Sequence, residues 1–222
     1  MSLTENLLAL QSKIQSSGRN VVLIAVSKTK PLSLIEEAIH ANHFTFGENK
    51  IKEGIEKFEK LKETHKISLH HLGPVQSGTA RKLFGIFDFT HGVSSTSTLD
   101  GLLKDSEKFK KHLKYFLQVN LTGEDSKNGF SENDLDSLLE NISKWESEYL
   151  QFEGLMTMGP SSEDPILTRA VFAKLNQIRK EKIPKAKLSM GMSGDYTIAL
   201  EEGSDYIRVG SLLFGSREAI PL

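Results

Sequence analysis

The chain has 222 residues, with 28 Lys and Arg set against 29 Asp and Glu for a formal net charge of -1. That near-balance gives no bulk attraction to nucleic acid or anionic lipid. The absence of cysteine excludes disulfides, thiolate metal sites and thiol catalysis. The length suits one large domain, or two small ones, with enough buried apolar surface to fold without staples.

The first segment, MSLTENLLALQSKIQSSG, lacks a basic stretch followed by a long apolar core, so it is expected to be neither a signal peptide nor a membrane span. Leu7, Leu8, Leu10 and Ile14 put an apolar stripe on an opening helix, which Gly18 ends. A buried strand over 20–27 follows, and Pro31 opens a helix carrying Leu34, Ile35, Ala38 and Ile39. Then come a short strand at 44–46, a helix with Ile51, Ile55, Phe58 and Leu61, and a strand at 67–72. Ala80, Leu83 and Phe84 line a short helix before a strand at 86–93. Leu99, Leu102 and Leu103 mark the next helix, and 112–121 the next strand. Ser131 N-caps a helix with Leu135, Leu138 and Leu139. A strand at 149–156 precedes a long helix through Leu167, Ala170, Val171, Leu175 and Ile178. The chain closes with a strand at 186–190, a short helix from Tyr196 to Glu201, a strand at 205–210 and a helical turn at 211–215.

Eight strands, each followed by a helical segment, imply a parallel sheet with right-handed crossovers. Eight such units in this length argue for an α/β protein with a single (β/α)₈ TIM barrel over 1–222. A doubly wound open sheet is the competing architecture. No linker rich in Pro, Gly or Ser divides the chain.

In such a barrel the site lies at the C-terminal ends of the strands, and phosphate is often held by the loops after strands seven and eight. Those loops here are MGMSGD (190–195) and VGSLLFG (209–215). Each brings glycine, for close backbone approach, and then serine at a helix start, a combination that suits a phosphate dianion. The plainer reading of either loop alone is a tight turn with an ordinary cap. Lys28 ends the first strand, in AVSKTKP, where partial burial and a nearby cation such as Lys30 would favour the neutral amine that attacks an aldehyde. Taken alone it reads as a solvated lysine. An aldehyde-capturing amine at the same barrel mouth as a phosphate cradle is what pyridoxal 5'-phosphate (PLP) needs.

Arg208 sits inside the last strand, where a guanidinium must be paired or bind a ligand. Pairing with Asp195 and pointing at a ligand held by Gly210 and Ser211 are both open. His70 and His71 are adjacent on one strand, so they face opposite ways and cannot chelate one ion together; one of them is a candidate for the barrel mouth. His40 and His43 read as solvated at a helix end, and the basic stretch 104–114 as a solvated helix face. No HExxH, Walker A or GxSxG pattern occurs.

The segments AVSKTKP (25–31), FGENKIKE (46–53), HHLGPVQS (70–77), FEGLMTMGP (152–160) and LSMGMSGDYTIALEEGSDYIRVGSLLFGSRE (188–218) resemble, in order and over nearly the whole chain, the pyridoxal phosphate homeostasis proteins, often called the YggS/PROSC family. The resemblance implies a fold similar to the barrel domain of bacterial alanine racemase, without its second domain. It implies that Lys28 forms a Schiff base with PLP, that Asn49 lies near the cofactor ring, and that Arg208 lies near the pyridine nitrogen. It implies that Met192 and Ser193 meet the phosphate, as do Gly210 and Ser211, the last being threonine in many members. His70 matches a histidine near the site, and His71 stands where an aromatic is usual. One departure is QSGTARK (76–82), where Gly78 and Thr79 replace the family's asparagine and lysine.

The resulting expectation is a cytoplasmic, non-catalytic PLP-binding protein of vitamin B6 homeostasis, without a metal. Apo forms of PLP-dependent enzymes are its expected partners, and a monomer or weak dimer its expected state. A PLP-dependent amino-acid racemase is the alternative, weakened because the chain stops soon after Arg217, before any second domain. A phosphate-binding barrel of sugar metabolism is the third reading; it leaves Lys28 without a role.

Overall fold

The computed structural model describes residues 2–76, 78–124 and 127–215. Helix α1 (Leu3–Ser16) comes first, opened by a capping box in which Ser2 and Glu5 satisfy each other's backbone N–H groups. Eight strands follow: β1 (Val22–Val26), β2 (Thr45–Glu48), β3 (Ser68–His71), β4 (Phe89–Val93), β5 (Leu113–Gln118), β6 (Leu150–Met156), β7 (Lys187–Ser189) and β8 (Tyr206–Val209). Each pairs in parallel with the next, and β1 pairs with β8, so the sheet closes into a barrel. The open-sheet alternative is thereby excluded.

Helices follow the strands: α2 (Leu32–His40), α3 (Ile51–Thr64), α4 (Thr96–Phe109), α5 (Glu132–Glu140), α6 (Pro165–Lys182), α7 (Tyr196–Glu201) and α8 (Ser211–Phe214). After β3 the connection is a single 3-10 turn, Ala80–Leu83. Ser131 accepts from the Asp134 N–H, and Asp164 from the N–H groups of Ile166 and Leu167, so α5 and α6 each start on a side-chain cap.

Two apolar layers result from strand alternation. Outward residues such as Phe46, Leu69 and Leu117 pack under the helices in the larger core. Inward residues fill the barrel: Ile24, Phe116, Met156 and Tyr206, with Val22 and Phe89 against them. Gly47 faces inward too, and a Cβ there would lie 2.6 Å from Leu72 Cδ1 and 2.8 Å from Ile24 Cγ2. Its missing side chain is what lets those two residues fill the barrel.

Several surface expectations are corrected. His43 is buried, its Nε2 2.7 Å from the Thr45 carbonyl and its ring edge-on to Phe46; burial lowers its pKa. His40 is exposed, as expected. Leu8 and Leu167 are 60% and 52% exposed, and Ala170 is exposed; the stripe of α6 runs instead through Thr168, Val171, Phe172, Leu175 and Ile178. The basic stretch 104–114 is not one helix face, because α4 stops at Phe109 and Lys110 turns with φ 50°. The chain there enters β5, where Lys114 pairs with Glu153 at 3.0 Å.

Candidate functional site

A cavity of about 510 Å³ opens at the C-terminal ends of the strands. That is a size that suits a small cofactor. Val26, Leu72, Met156 and Met158 give it apolar walls. Lys28, Asn49 and Arg208 enter from the ends of three strands, and Met192, Ser193, Gly210 and Ser211 from the two final loops. Seven of the eight residues expected at the site therefore share one cavity.

His70 is the eighth, and it does not line the cavity. Ser68, His70 and Leu72 alternate onto one inward face of β3, and Leu72 is the member that reaches the mouth. His70 lies one layer deeper, stacked on Phe89 at 4.3 Å between centroids. His71 points the other way, buried against Phe87 and 3.2 Å from Thr90 Oγ1. Of the variant loop, Gly78 and Thr79 form a turn on Gln76, while Ser77 lies outside the described residues.

Lys28 is half-buried, and among the described residues its amine has no hydrogen-bond or ion-pair partner. Lys30 lines the same cavity, but its amine donates to the carbonyls of Phe214 (3.2 Å) and Gly215 (3.0 Å). The backbone that presents Lys28 is fixed from behind. Thr29 takes φ 63°, a left-handed conformation unusual for a β-branched residue, and its N–H donates to Glu53 Oε1 at 2.6 Å. Lys57 ties this corner together, donating to Glu53 Oε1 (2.6 Å), Glu48 Oε1 (3.0 Å) and the Ser27 carbonyl (2.8 Å). Glu48 is fully buried, and burial raises its pKa against the opposing pull of Ser27 and Lys57. Its second oxygen has no partner among the described residues.

The two final loops are joined. Ser193 Oγ accepts from the N–H groups of Gly210 (3.2 Å) and Leu212 (3.4 Å), so the serine of one loop caps the helical turn of the other. Asp195 Oδ1 accepts from the Met192 N–H at 2.5 Å and closes the first loop on itself. Gly191, at φ 96°, makes that loop possible, since a Cβ there would lie 2.5 Å from Ala199 Cβ.

The Arg208 guanidinium is held by neutral partners rather than by the expected acid. It makes no ion pair with Asp195; Nη1 donates to Ser189 Oγ at 2.7 Å and Nη2 to the Thr157 carbonyl at 3.0 Å. It is 6% exposed, yet it lines the cavity. Burial lowers its pKa to about 10, with Asp195 opposing, so it stays cationic at neutral pH. Sequence reasoning missed Ser189, Thr157, Glu48, Glu53 and Lys57. A polar residue within a buried strand is the signal that could have found Ser189 and Glu48; Thr157, Glu53 and Lys57 lie outside the strands and carry no such signal. Among the described residues no cluster of His, Cys, Asp and Glu is placed to hold a metal.

The family model described as alanine racemase, N-terminal domain, matches residues 1–218. A pyridoxal phosphate homeostasis protein of Vibrio alginolyticus is 36% identical over 98% of this chain and 98% of its own. The structure of PipY from Synechococcus elongatus PCC7942, with PLP bound, superposes with a TM-score of 0.85 at 34% identity, over 96% of this chain and all of that one. An alanine racemase from Streptomyces lavendulae shares the fold, with a TM-score of 0.77 at 16% identity, over 98% of this chain and 57% of its own. The chain belongs to the alanine racemase N-terminal-domain family and, within it, to the pyridoxal phosphate homeostasis proteins.

Proposed function

We propose that the chain binds PLP in the cavity at the barrel mouth, held on Lys28 as a Schiff base, and serves vitamin B6 homeostasis without strong catalytic activity. The observation that carries the reading is the convergence of Lys28 with two serine-bearing glycine loops in one cavity. Bound PLP supplies an aldehyde for a lysine amine and a phosphate for an anion cradle.

The residues fit that group. Among the described residues the Lys28 amine has no partner, so it would be available to a bound aldehyde, whose oxygen would leave as water. Hydroxyls of Ser193 and Ser211, with backbone N–H groups of their loops, would hold the phosphate. Ser193 already accepts two N–H groups, so its hydroxyl proton is left to donate. The apolar wall of Val26, Leu72 and Met156 suits a ring, and Asn49 offers it an amide.

Arg208 bears on the strength of the ring as an electron sink. In PLP enzymes the ring nitrogen is met by an aspartate, which keeps it protonated, or by an arginine, which does not. A guanidinium only donates hydrogen bonds, so it holds no proton on that nitrogen. Two of its N–H groups are committed to Ser189 and Thr157, which fixes it at the cavity floor. In this reading the protein works in the cytoplasm, as a monomer or weak dimer, and hands PLP to apo forms of PLP-dependent enzymes. No helix among the described residues is long and apolar enough to cross a membrane.

The test is a PLP titration followed by visible absorption. A saturable band that needs Lys28 and vanishes on borohydride reduction supports the reading; its absence in the wild type favours a phosphate-binding barrel without PLP.

A further inference from the structure

Beneath the cavity, a file of polar side chains crosses the barrel interior. Arg208 Nη1 donates to Ser189 Oγ at 2.7 Å. Ser189 Oγ lies 2.8 Å from His91 Nδ1, and His91 Nε2 lies 2.9 Å from His70 Nδ1. His70 Nε2 lies 3.2 Å from Ser68 Oγ. Ser189 and His91 are fully buried and His70 is 1% exposed. The strand positions are built for it: a register shift in β4 between Thr90 and Val93 brackets His91, and such bulges re-aim a side chain. His91 stacks on Phe116 and His70 on Phe89, each at 4.3 Å, so neither ring can turn freely.

The direction of every bond in the file is fixed by its first member. Guanidinium has five N–H groups and no acceptor, so Ser189 Oγ must accept from it. Among the described residues the serine proton then has one acceptor, His91 Nδ1. Were His91 Nδ1 protonated instead, the fully buried Ser189 hydroxyl proton would have no acceptor among the described residues, a cost of about 1–3 kcal/mol. With Nδ1 accepting, neutral His91 carries its proton on Nε2 and donates to His70 Nδ1. His70 in turn carries its proton on Nε2 and donates to Ser68, which is half-buried at the far end.

We infer that Ser189, His91 and His70 are positioning residues forming a one-way hydrogen-bond chain, with both histidines neutral and protonated on Nε2, that anchors the Arg208 guanidinium at the cavity floor. The groups around the chain agree with its neutrality. Burial lowers the pKa of His70 to about 3, with Lys62 adding to it, and burial, then His70 and Arg208, hold His91 well below its ordinary value. A histidinium in either place would turn one acceptor into a donor and set two donors against each other. The part of the inference that concerns cofactor binding rests on the PLP reading above; the tautomers do not.

The test is nitrogen-15 NMR of the histidine rings in the protein without added cofactor, at neutral pH, with PLP affinity measured alongside. His70 and His91 are both expected as neutral Nε2–H tautomers. In Ser189→Ala, a resonance of the Nδ1–H form of His91 should appear and PLP affinity should fall about threefold to tenfold. Ser189→Thr, which keeps the hydroxyl, should restore both. Finding His91 as the Nδ1–H tautomer or as imidazolium in the wild type overturns the inference even if PLP binds on Lys28. Both Nε2–H tautomers in a wild type that binds no PLP support the chain and sink only the cofactor reading.

Discussion

Ser193 Oγ accepts the Gly210 N–H at 3.2 Å, so the loop after β7 caps the helical turn after β8. One hydroxyl thus holds the two halves of the candidate phosphate cradle together. Ser193→Ala should weaken PLP about tenfold or more, from the loss of a charge-assisted bond of roughly 1.5–3 kcal/mol. It should also cost about 1 kcal/mol of stability, as lost caps do. Ser211→Ala should weaken PLP similarly without the stability cost, because among the described residues that hydroxyl makes no hydrogen bond. Pyridoxal lacking phosphate should bind the wild type poorly. Equal affinity for PLP and pyridoxal would contradict the cradle.

Thr29 holds a left-handed backbone at φ 63° directly after Lys28, pinned by Glu53. Such a conformation costs a β-branched residue about 1–3 kcal/mol. Thr29→Gly should therefore leave stability unchanged or raise it, as read from urea midpoints, while lowering PLP affinity by loosening Lys28. Glu53→Gln should lower both stability and affinity, since it weakens the bonds to the Thr29 N–H and to Lys57. A Thr29→Gly protein with unchanged PLP affinity would show that the strain has no part in presenting the lysine.

Buried neutral histidines make the fold acid-sensitive. His70, His71 and His91 have pKa values lowered by burial, to about 3 for His70 and about 4 for His71. Below an ordinary pKa of 6.5 the unfolded chain takes up protons that the folded chain refuses, so stability falls as pH falls. The window runs from 6.5 down to the folded values, with a slope of up to ~1.4 kcal/mol per pH unit for each histidine. Glu48, whose pKa burial raises, works in the opposite sense: it is more readily protonated in the folded chain. Urea midpoints at pH 7.5, 6 and 5 should decline in the wild type and decline less in His71→Gln. Equal slopes would remove the burial of His71 as a cause.

The barrel was legible because its strands are short apolar runs at regular spacing, and Tyr196–Glu201 was placed to the residue. Lys28 and the two final loops were legible because strand ends in such a barrel converge on one mouth. Depth was not legible. His70 and Leu72 share an inward face, and the alternation of side chains does not say which layer meets the ligand. Cross-barrel pairing was invisible as well: His91 meets Ser189 across 98 residues of sequence, and no local pattern encodes that. His43 was misjudged because proximity to a helix end suggested solvent, whereas the start of β2 folds over it.

A carrier should turn over little. Arg208 stays cationic at the cavity floor and cannot accept a hydrogen bond from a protonated ring nitrogen, so it favours the unprotonated ring, a weaker electron sink. Racemisation and transamination of common amino acids, assayed with added PLP, should be negligible in the wild type. Lys28→Ala serves as the control. Sustained racemisation at about 1 s⁻¹ or faster, a rate typical of enzymes, that depends on Lys28 would make the protein an enzyme.

Lys28, and no other lysine, is expected to hold the cofactor. The most direct measurement is borohydride reduction of the PLP-loaded protein, followed by digestion and mass spectrometry with fragmentation. The pyridoxyl mass should fall on Lys28 within the segment 25–30, and Lys28→Ala should carry none while retaining weak, phosphate-dependent binding. Lys30 lies in the same segment and cavity, but its amine is committed to the Phe214 and Gly215 carbonyls. A pyridoxyl group found on Lys30, or on any lysine other than Lys28, would contradict the account.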